Sequence, residues 1–268
     1  MTAPARAAVD DYERLVTAVR RVCGLDLAQY KRPQMERRIR AFASRRGHDD
    51  LGEYAWVLDR DREELDRFLD RLTINVSQLW RNPDQWAMLE RRVLPELATT
   101  GPVPGRLRCW SAGCSYGAEA YTLAAVCRRA IPDARVTIVG SDIDARMIER
   151  ARAGVFSADD ARDAPAGALA AGFDRVDGLW HAREELKQLV RFEHADLLRA
   201  RPARAAYDLV LCRNTVIYFT EAVRDDVHGR LAASLRAGGR LVVGATERVA
   251  APAAHGLEPE LPFVYRKR

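Results

Sequence analysis

Cysteine is scarce in this 268-residue chain, and its five cysteines show no regular spacing. They form no CxxC pair and no spacing typical of metal ligands, while the histidines are scattered along the chain. These absences argue against a disulfide framework and against a zinc site, so we predict no metal. Cys109 and Cys212 lie in apolar stretches, where we expect small buried side chains in a reducing compartment.

Long apolar runs are also absent. No stretch approaches the ~18 consecutive apolar residues that a membrane-spanning helix needs, and residues 1–11 contain no apolar signal core. We therefore expect a cytoplasmic chain without membrane insertion. Its length suggests one large domain or two unequal ones, and we expect a monomer.

Acidic residues are nearly missing from residues 31–46, where Glu36 stands alone against a cluster of cations. The cluster consists of Lys31, Arg32, Arg37, Arg38, Arg40, Arg45 and Arg46. At helical spacing Arg37 and Arg40 project opposite the apolar stripe, with Arg38 on its flank. Guanidinium groups bind carboxylate and phosphate in bidentate fashion, which favours an acidic partner. Nucleic acid, an anionic membrane, an acidic protein helix and a merely solubilising surface remain open on the residues alone.

The first 72 residues carry apolar side chains at helical spacing and predict an all-helical domain. Residues 73–84 hold polar side chains among apolar ones and predict a linker to a second domain over 85–268. From Arg106 onward, apolar strands alternate with helices, which favours an α/β fold with a parallel sheet covered on both faces. An insertion at about 154–189 interrupts this alternation, and its Asp177-Gly178 step suits a hairpin.

Two expectations concern the end of the chain. The helix from Glu221 to Leu235 should end at Gly238-Gly239 and lead into a strand over Leu241–Gly244. A last short strand is expected over Phe263–Tyr265.

A glycine loop follows the first strand of the sheet and precedes a helix. Gly113 and Gly117 frame this loop, and Glu119 stands at the helix start. Such junctions lie at the carboxyl edge of a parallel sheet, where a nucleotide-like cofactor can approach the backbone. Asp142 ends the second strand, where a carboxylate accepts hydrogen bonds from ribose hydroxyls. Its alternative role is to cap the next helix, for which Asp144 is the rival.

Asp196 directly follows the third strand. Its carboxylate can accept a hydrogen bond from the amino group of adenine, or it can be an ordinary turn residue. Together these features predict adenosine binding. A carboxylate at position 119 would repel a pyrophosphate and attract an amino ligand, which favours S-adenosylmethionine over NAD.

At this point the sequence resembles the CheR-type chemotaxis methyltransferases. The motifs that carry the resemblance run in family order over nearly the whole chain: TINVSQLWRNP (73–83), WSAGCSYGAEAY (110–121), SDID (141–144), ADLL (195–198), LCRNTVIYF (211–219) and GATE (244–247). The basic segment GLDLAQYKRPQMERRI is similar to the family's amino-terminal helical domain.

The resemblance implies a Rossmann-like class I sheet, with S-adenosylmethionine as methyl donor and S-adenosylhomocysteine as product. It also implies methyl-ester formation on glutamates in the methylation helices of chemoreceptors. The implied cofactor-binding residues are Asn75, Ser77, Arg81, Gly113, Glu119, Asp142, Asp196, Leu197, Arg213 and Asn214. Arg81 and Tyr218 are the implied catalytic pair that orients the acceptor, and Arg37, Arg38 and Arg40 are the expected receptor-binding cations.

The chain departs from the family pattern in three places. The usual Gly-Glu-Glu-Pro-Tyr reads Gly117-Ala118-Glu119-Ala120-Tyr121, and the usual Gly-His-Ser-Glu reads Gly244-Ala245-Thr246-Glu247. Residues 172–189 are shorter than in some members and lack the glycine-rich loop that docks a receptor's tail peptide, so we predict tail-independent recognition. Rival hypotheses are a methyltransferase for another acidic protein, a binding domain without transfer, and nucleic-acid binding, which the motifs disfavour.

Overall fold

A computed structural model describes residues 10–72 and 77–268, so Asn75 lies outside the described residues. The chain divides into two compact units. One unit contains the helices of the first 72 residues together with Tyr218–Glu221, and the other contains the rest of the described chain.

The helical unit is built from four amphipathic helices: α1 (Asp11–Cys23), α2 (Arg32–Arg45), α3 (Leu51–Arg60) and α4 (Arg62–Leu72). The side chains of Asp10 and Asp50 accept backbone N–H bonds at the starts of α1 and α3, as N-cap residues do. The apolar faces meet in a core where Leu15, Ile39 and Phe68 are buried. The all-helical prediction for this part of the chain is confirmed.

The second unit alternates helices and strands. Its helices are α5 (Pro83–Met88), α6 (Leu94–Thr100), α7 (Ala118–Ala130), α8 (Ala145–Ala153), α9 (Glu184–Lys187) and α10 (Glu221–Ser234). A wider helical turn, Leu89–Val93, joins α5 to α6. Its strands are β1 (Arg106–Ala112), β2 (Arg135–Asp142), β3 (Val155–Phe156), β4 (Phe173–Val176), β5 (Leu179–Ala182), β6 (Val190–His194), β7 (Tyr207–Cys212), β8 (Leu235–Val243), β9 (Leu257–Leu261) and β10 (Val264–Lys267).

Seven strands form one sheet in the order β6, β2, β1, β7, β8, β10, β9. The first five are parallel, and β10 runs antiparallel to both of its neighbours. Ala112 pairs with Ser141, and Cys212 pairs with Val243, so the carboxyl ends of the central strands meet at one edge. This is the parallel sheet that the alternation predicted and the Rossmann-like arrangement that the resemblance implied, and it brings the motif loops together.

The insertion forms a separate antiparallel sheet in the order β3, β5, β4. Asp177 and Gly178 both have positive φ angles in the turn between β4 and β5. The predicted hairpin is therefore present, with the backbone geometry that an Asp-Gly step favours.

The predicted helix over Glu221–Leu235 matches α10 to within one residue, but the predicted helix stop at Gly238-Gly239 was wrong. That helix ends at Ser234, and β8 begins at Leu235. Gly238, with a φ of +75°, lies inside the strand, where the pairing between β7 and β8 shifts register. An αL glycine fits such an irregularity as well as it fits a helix end. The sequence analysis also missed β9, which pairs with β10 across a short turn at the edge of the sheet.

No helix within the described ranges is long and apolar enough to span a bilayer. Nor do these ranges bring three His, Cys, Asp or Glu side chains together as metal ligands.

Candidate functional site

The glycine loop is held against the end of the neighbouring strand. The N–H groups of Gly113 and Cys114 both donate to the Ser141 carbonyl, at 2.8 and 2.9 Å. Gly113 has a φ of +78°, and a Cβ there would lie 2.5 Å from Thr215 Oγ1. A Cβ on Gly117 would lie 2.9 Å from that of Ala151. Close packing within the protein therefore requires both glycines, whatever the loop binds.

Asp142 lies at the end of β2, beside this loop. Its Oδ2 accepts the Ser115 N–H at 2.8 Å, and its Oδ1 accepts the Asp144 N–H at 3.0 Å. Burial raises the pKa of Asp142, while these backbone donors oppose the rise. The rival capping role belongs to Asp144, whose side chain accepts the N–H groups of Arg146 and Met147 in the first turn of α8. Each Asp142 oxygen retains a lone pair that can accept a ribose hydroxyl.

Glu119 lies at the first turn of α7 and is 8% exposed. Ser111 donates its hydroxyl to Oε1 at 2.7 Å, and Arg213 donates Nη1–H to Oε2 at 3.3 Å. Burial raises the pKa of Glu119, and the positive charges of Arg213 and Arg81 oppose that rise. The charge-assisted bond and the nearby cations favour the ionised carboxylate, whose remaining lone pairs can accept an ammonium group.

Arg213 follows β7 and is buried against the start of the second unit. Its Nε and Nη2 donate to Gln85 Oε1 at 3.0 and 2.7 Å, and Nη2 also donates to the Arg81 carbonyl at 2.7 Å. Its guanidinium carbon lies 5.1 Å from the ring centroid of Trp86. These bonds leave Arg213 oriented toward Glu119, so its clearest role is to position that carboxylate. The sequence analysis missed Gln85, whose partner lies 128 residues away.

Residues 80–82 form a tight turn before α5. Trp80 and Asn82 both have positive φ angles, and the Trp80 N–H donates to Thr122 Oγ1 at 3.0 Å. The Arg81 carbonyl also accepts the indole N–H of Trp86 at 3.0 Å. This turn fixes the backbone of Arg81, and the charge of its side chain acts on Glu119 and Tyr116.

Ser77 precedes Arg81 by four residues in the linker motif. Its carbonyl accepts the Tyr116 hydroxyl, which also donates to Asp160 Oδ1 at 2.8 Å. The Arg150 guanidinium carbon lies 3.9 Å from the Tyr116 ring centroid. Burial raises the pKa of Tyr116 well above its usual range. The structure therefore joins Ser77 to the glycine loop through Tyr116.

Asp196 and Leu197 form a turn after β6. Asp196 Oδ1 accepts the Leu198 N–H at 2.8 Å, as in a plain Asx turn. Arg230 donates to the Leu197 and Leu198 carbonyls at 3.0 and 2.8 Å. The Asp142 carbonyl accepts the N–H of Ala195 at 2.9 Å, so this turn lies next to Asp142.

Glu247 is a second residue that the sequence analysis did not select. It is 4% exposed, and its Oε2 accepts the N–H groups of Asn214 and Gly244 at 2.7 and 2.6 Å. Asn214 itself has a left-handed backbone, with a φ of 59°. The sequence did contain a signal for Glu247, since it is the one acidic residue in the turn that follows the apolar strand ending at Val243.

The helical unit contains the other predicted residues. The Tyr218 carbonyl accepts the Lys31 N–H at 2.9 Å, so Tyr218 belongs to this unit. Arg40 makes a bidentate bond to Asp11, at 2.8 and 2.6 Å, and also bonds Glu36. Arg40 therefore forms intramolecular ion pairs. The sequence analysis considered only Glu36 as an acid near this basic segment, whereas Asp11 of α1 also pairs with Arg40.

Arg37 and Arg38 differ from Arg40. Arg37 is exposed and Arg38 is half-buried, and neither has a carboxylate partner among residues 10–72 and 77–268. Burial and the like charge of Arg71 lower the pKa of Arg38, while Tyr218 opposes this effect. These two guanidinium groups can therefore accept an acidic partner without first losing one.

The side chains at the carboxyl edge of the sheet fit S-adenosylmethionine. Asp142 offers acceptors for hydroxyls, and Glu119 offers acceptors for an amino group. Arg213, the buried cation beside them, is already paired with Glu119, which leaves it poorly suited to neutralise a pyrophosphate. The arrangement therefore suits an amino-acid-bearing nucleoside better than a dinucleotide.

Two family models match the chain and together span most of it. Residues 10–73 match "CheR methyltransferase, all-alpha domain", and residues 75–258 match "CheR methyltransferase, SAM binding domain". The second match covers more than half of the chain, and it supports S-adenosylmethionine as the cofactor.

Curated relatives match over nearly the whole length. A chemotaxis protein methyltransferase of Listeria monocytogenes is 34% identical over 96% of this chain and 97% of its own. Chemotaxis protein methyltransferase 1 of Pseudomonas aeruginosa is 30% identical over 90% and 91%. Among solved structures, an S-adenosylmethionine-dependent methyltransferase from Mesorhizobium loti covers 56% of this chain and 51% of its own, with 20% identity and a TM-score of 0.32.

Proposed function

The chain belongs to the CheR methyltransferase family, and from that premise we propose that it methylates the side-chain carboxylates of glutamates in chemoreceptors. Its role in chemotaxis as a methyltransferase that uses S-adenosylmethionine follows from the family. The glutamate acceptor, and the methyl ester that forms on it, are the finer part of the proposal. The relatives' names support a receptor substrate, and the charge of α2 supports an acidic one.

The proposed chemistry asks for alignment rather than proton transfer. Bound S-adenosylmethionine supplies a methyl group that its sulfonium charge already activates. A glutamate with a pKa of about 4.3 is ionised at neutral pH, so the protein needs no general base. Its residues must instead orient the carboxylate and exclude water.

Arg81 and Tyr218 are our candidates for orienting the acceptor carboxylate. Glu119, Asp142, Asp196 and Leu197 would hold the cofactor, together with Ser77, the side chain of Asn214 and the backbone at Gly113. Arg213 would act through Glu119, because its donors already bond to protein atoms. Asn75 keeps its proposed cofactor role on the family motif alone.

The proposal of an acidic acceptor rests on the contrast between the arginines of α2. Arg32 and Arg40 bond to acids of α1 and α2, whereas Arg37 and Arg38 have no acidic partner in the described part of the chain. Burial and the like charge of Arg71 both lower the pKa of Arg38, and an incoming carboxylate would oppose both effects. An amphipathic receptor helix with acidic side chains has the matching charge.

Four further features belong to the proposal. Recognition is independent of a receptor tail peptide, because the small insertion sheet lacks the family's glycine-rich docking loop. The enzyme acts as a monomer in the cytoplasm, on the cytoplasmic helices of its receptors. Nucleic acid is not its partner.

The test is transfer of labelled methyl from S-adenosylmethionine to a receptor's cytoplasmic fragment that lacks any tail peptide. We expect label that mild alkali releases, since carboxyl methyl esters hydrolyse readily. Replacement of the acceptor glutamates with alanine should abolish the label. Alkali-stable label, or none on any receptor fragment, would contradict the proposal.

Two controls separate the rival functions. Non-receptor acidic proteins in the same assay report whether another acidic substrate is preferred. Calorimetry with S-adenosylhomocysteine identifies a binding domain without transfer, which would bind normally and never turn over. Tight binding to generic DNA with a steep salt dependence would favour a nucleic-acid partner instead.

A further inference from the structure

We propose that Glu247 is a positioning residue for the cofactor site and acts by holding the backbone of Asn214. Asn214 follows β7 at the sheet edge and adopts a left-handed backbone with a φ of 59°. Non-glycine residues rarely hold that conformation without help, although asparagine does so more readily than most. The Glu247 carboxylate supplies that help through a bond of 2.7 Å to the Asn214 N–H.

The turn after β8 places the Glu247 carboxylate where it can reach the Asn214 N–H. Oε2 of Glu247 accepts the Gly244 N–H at 2.6 Å as well, so one oxygen joins the ends of β7 and β8. A Cβ on Gly244 would lie 2.5 Å from that oxygen and 2.9 Å from Asn214 Nδ2. The turn that begins with Gly244 and ends with Glu247 therefore needs the glycine so that the carboxylate can reach Asn214.

The other oxygen of Glu247 has a different environment. Oε1 is buried and makes no hydrogen bond within the described residues. Burial raises the pKa of Glu247, and the two backbone donors oppose that rise. The contacts that matter are thus those to Oε2, which a glutamine side-chain oxygen can also make.

The effect extends to both sides of Asn214. Arg213 orients Glu119, and Thr215 packs against Gly113 in the glycine loop. A shift of Asn214 would therefore disturb three proposed contacts of the cofactor together. The inference rests on the cofactor-binding roles proposed above and does not depend on the methyl acceptor.

Two substitutions separate the length of the side chain at position 247 from its negative charge. Glu247→Gln keeps the reach and loses the charge, whereas Glu247→Asp keeps the charge and withdraws it by one methylene. We expect Glu247→Gln to bind S-adenosylhomocysteine within about threefold of the unchanged chain, and Glu247→Asp to bind roughly tenfold more weakly. Calorimetry measures both affinities, and thermal unfolding confirms that both variants are folded.

A second measurement follows the bond itself. The Asn214 amide should exchange with deuterium faster in Glu247→Asp than in Glu247→Gln. Equal affinities and equal exchange in the two variants would overturn the proposal, and so would the reverse ranking. Thr246→Ala is the matched control, because Thr246 is an exposed residue of the same turn.

Asn214→Ala distinguishes failure of the positioning role from failure of the site. Weaker binding in Asn214→Ala combined with normal binding in Glu247→Asp would overturn only the role of Glu247. Normal binding in Asn214→Ala would remove the proposed contact itself, and the positioning role with it.

Discussion

Glu119 and Arg213 form a buried ion pair whose two functions, stability and ligand binding, can be separated. Their side chains are 10% and 3% exposed, so water contributes little to solvating either charge. A pair of this kind adds little net stability compared with apolar side chains, yet loss of one partner leaves an uncompensated charge. Its position at the sheet edge suits a ligand-binding function.

We expect Glu119→Gln to lower the free energy of unfolding by about 3 kcal/mol, because the Arg213 cation then lacks its counter-charge. It should also weaken S-adenosylhomocysteine binding at least roughly tenfold. Denaturant unfolding and calorimetry measure the two effects.

The double variant Glu119→Gln/Arg213→Met supplies the control. Removal of both charges should recover much of the stability and none of the affinity. If affinity returned with stability, Glu119 would be a structural residue rather than a ligand for the cofactor.

The positions of Glu119 and Asp142 at this edge of the sheet were predictable, because both follow short-range rules for strand ends. Gln85 and Glu247 were not, since each acts through a partner far away in sequence. Nothing local to Gln85 indicates that it will accept two bonds from Arg213.

At the scale of elements, α2 combines two kinds of arginine. Arg32 and Arg40 tie α2 to α1, while Arg37 and Arg38 extend from the same helix without acidic partners in the described chain. Periodicity predicted which residues face outward, but it could not predict that acids of α1 would occupy some of them.

We predict that Arg37→Glu and Arg38→Glu lower kcat/KM for a receptor fragment at least roughly tenfold, because like charges then repel the acceptor. The affinity for S-adenosylhomocysteine should stay within about twofold. Arg62→Glu is the control for charge reversal elsewhere in the helical unit, since the Arg62 side chain is 83% exposed and its 3.6 Å ion pair to Asp66 stays within α4.

Arg40→Glu should behave differently from both. It places a third carboxylate beside Asp11 and Glu36, so we expect a lower melting temperature. Equal loss of receptor methylation and cofactor affinity in Arg37→Glu would contradict this division of roles.

The order of helices and strands was also predictable, since each parallel strand is a short apolar run followed by a helical pattern. The failures lie where long-range pairing overrides local signals. Gly238 resembles a helix stop, but the pairing of β7 with β8 extends β8 past it. The edge strand β9 has no apolar alternation and depends on β10 for its conformation.

The stability of the whole molecule should depend on pH through His228. This residue of α10 is 1% exposed, and neither ring nitrogen has a hydrogen-bond partner in the described chain. Burial, with Arg224 and His255, lowers its pKa to about 4, and Asp225 opposes the effect. The unfolded chain therefore binds more protons than the folded one between about pH 4 and 6.5, and stability is lost as pH falls through that range.

We expect this group alone to remove about 2 kcal/mol of stability between pH 7 and pH 5. His228→Leu should lose correspondingly less over the same interval, as measured by urea unfolding at each pH. An identical pH dependence in both proteins would show that His228 takes up its proton without cost.

At the scale of the whole molecule, we assign the cofactor site to one unit and the acid-binding helix α2 to the other. The family match supports both units and the cofactor, whereas the acceptor is our proposal. The most direct test is peptide mapping by mass spectrometry of a receptor's cytoplasmic fragment after incubation with the enzyme and S-adenosylmethionine. We predict the added mass of one methyl ester on glutamate residues of the methylation helices, lost after mild alkali. Methylation confined to lysine, arginine or another residue, and stable to alkali, would contradict it.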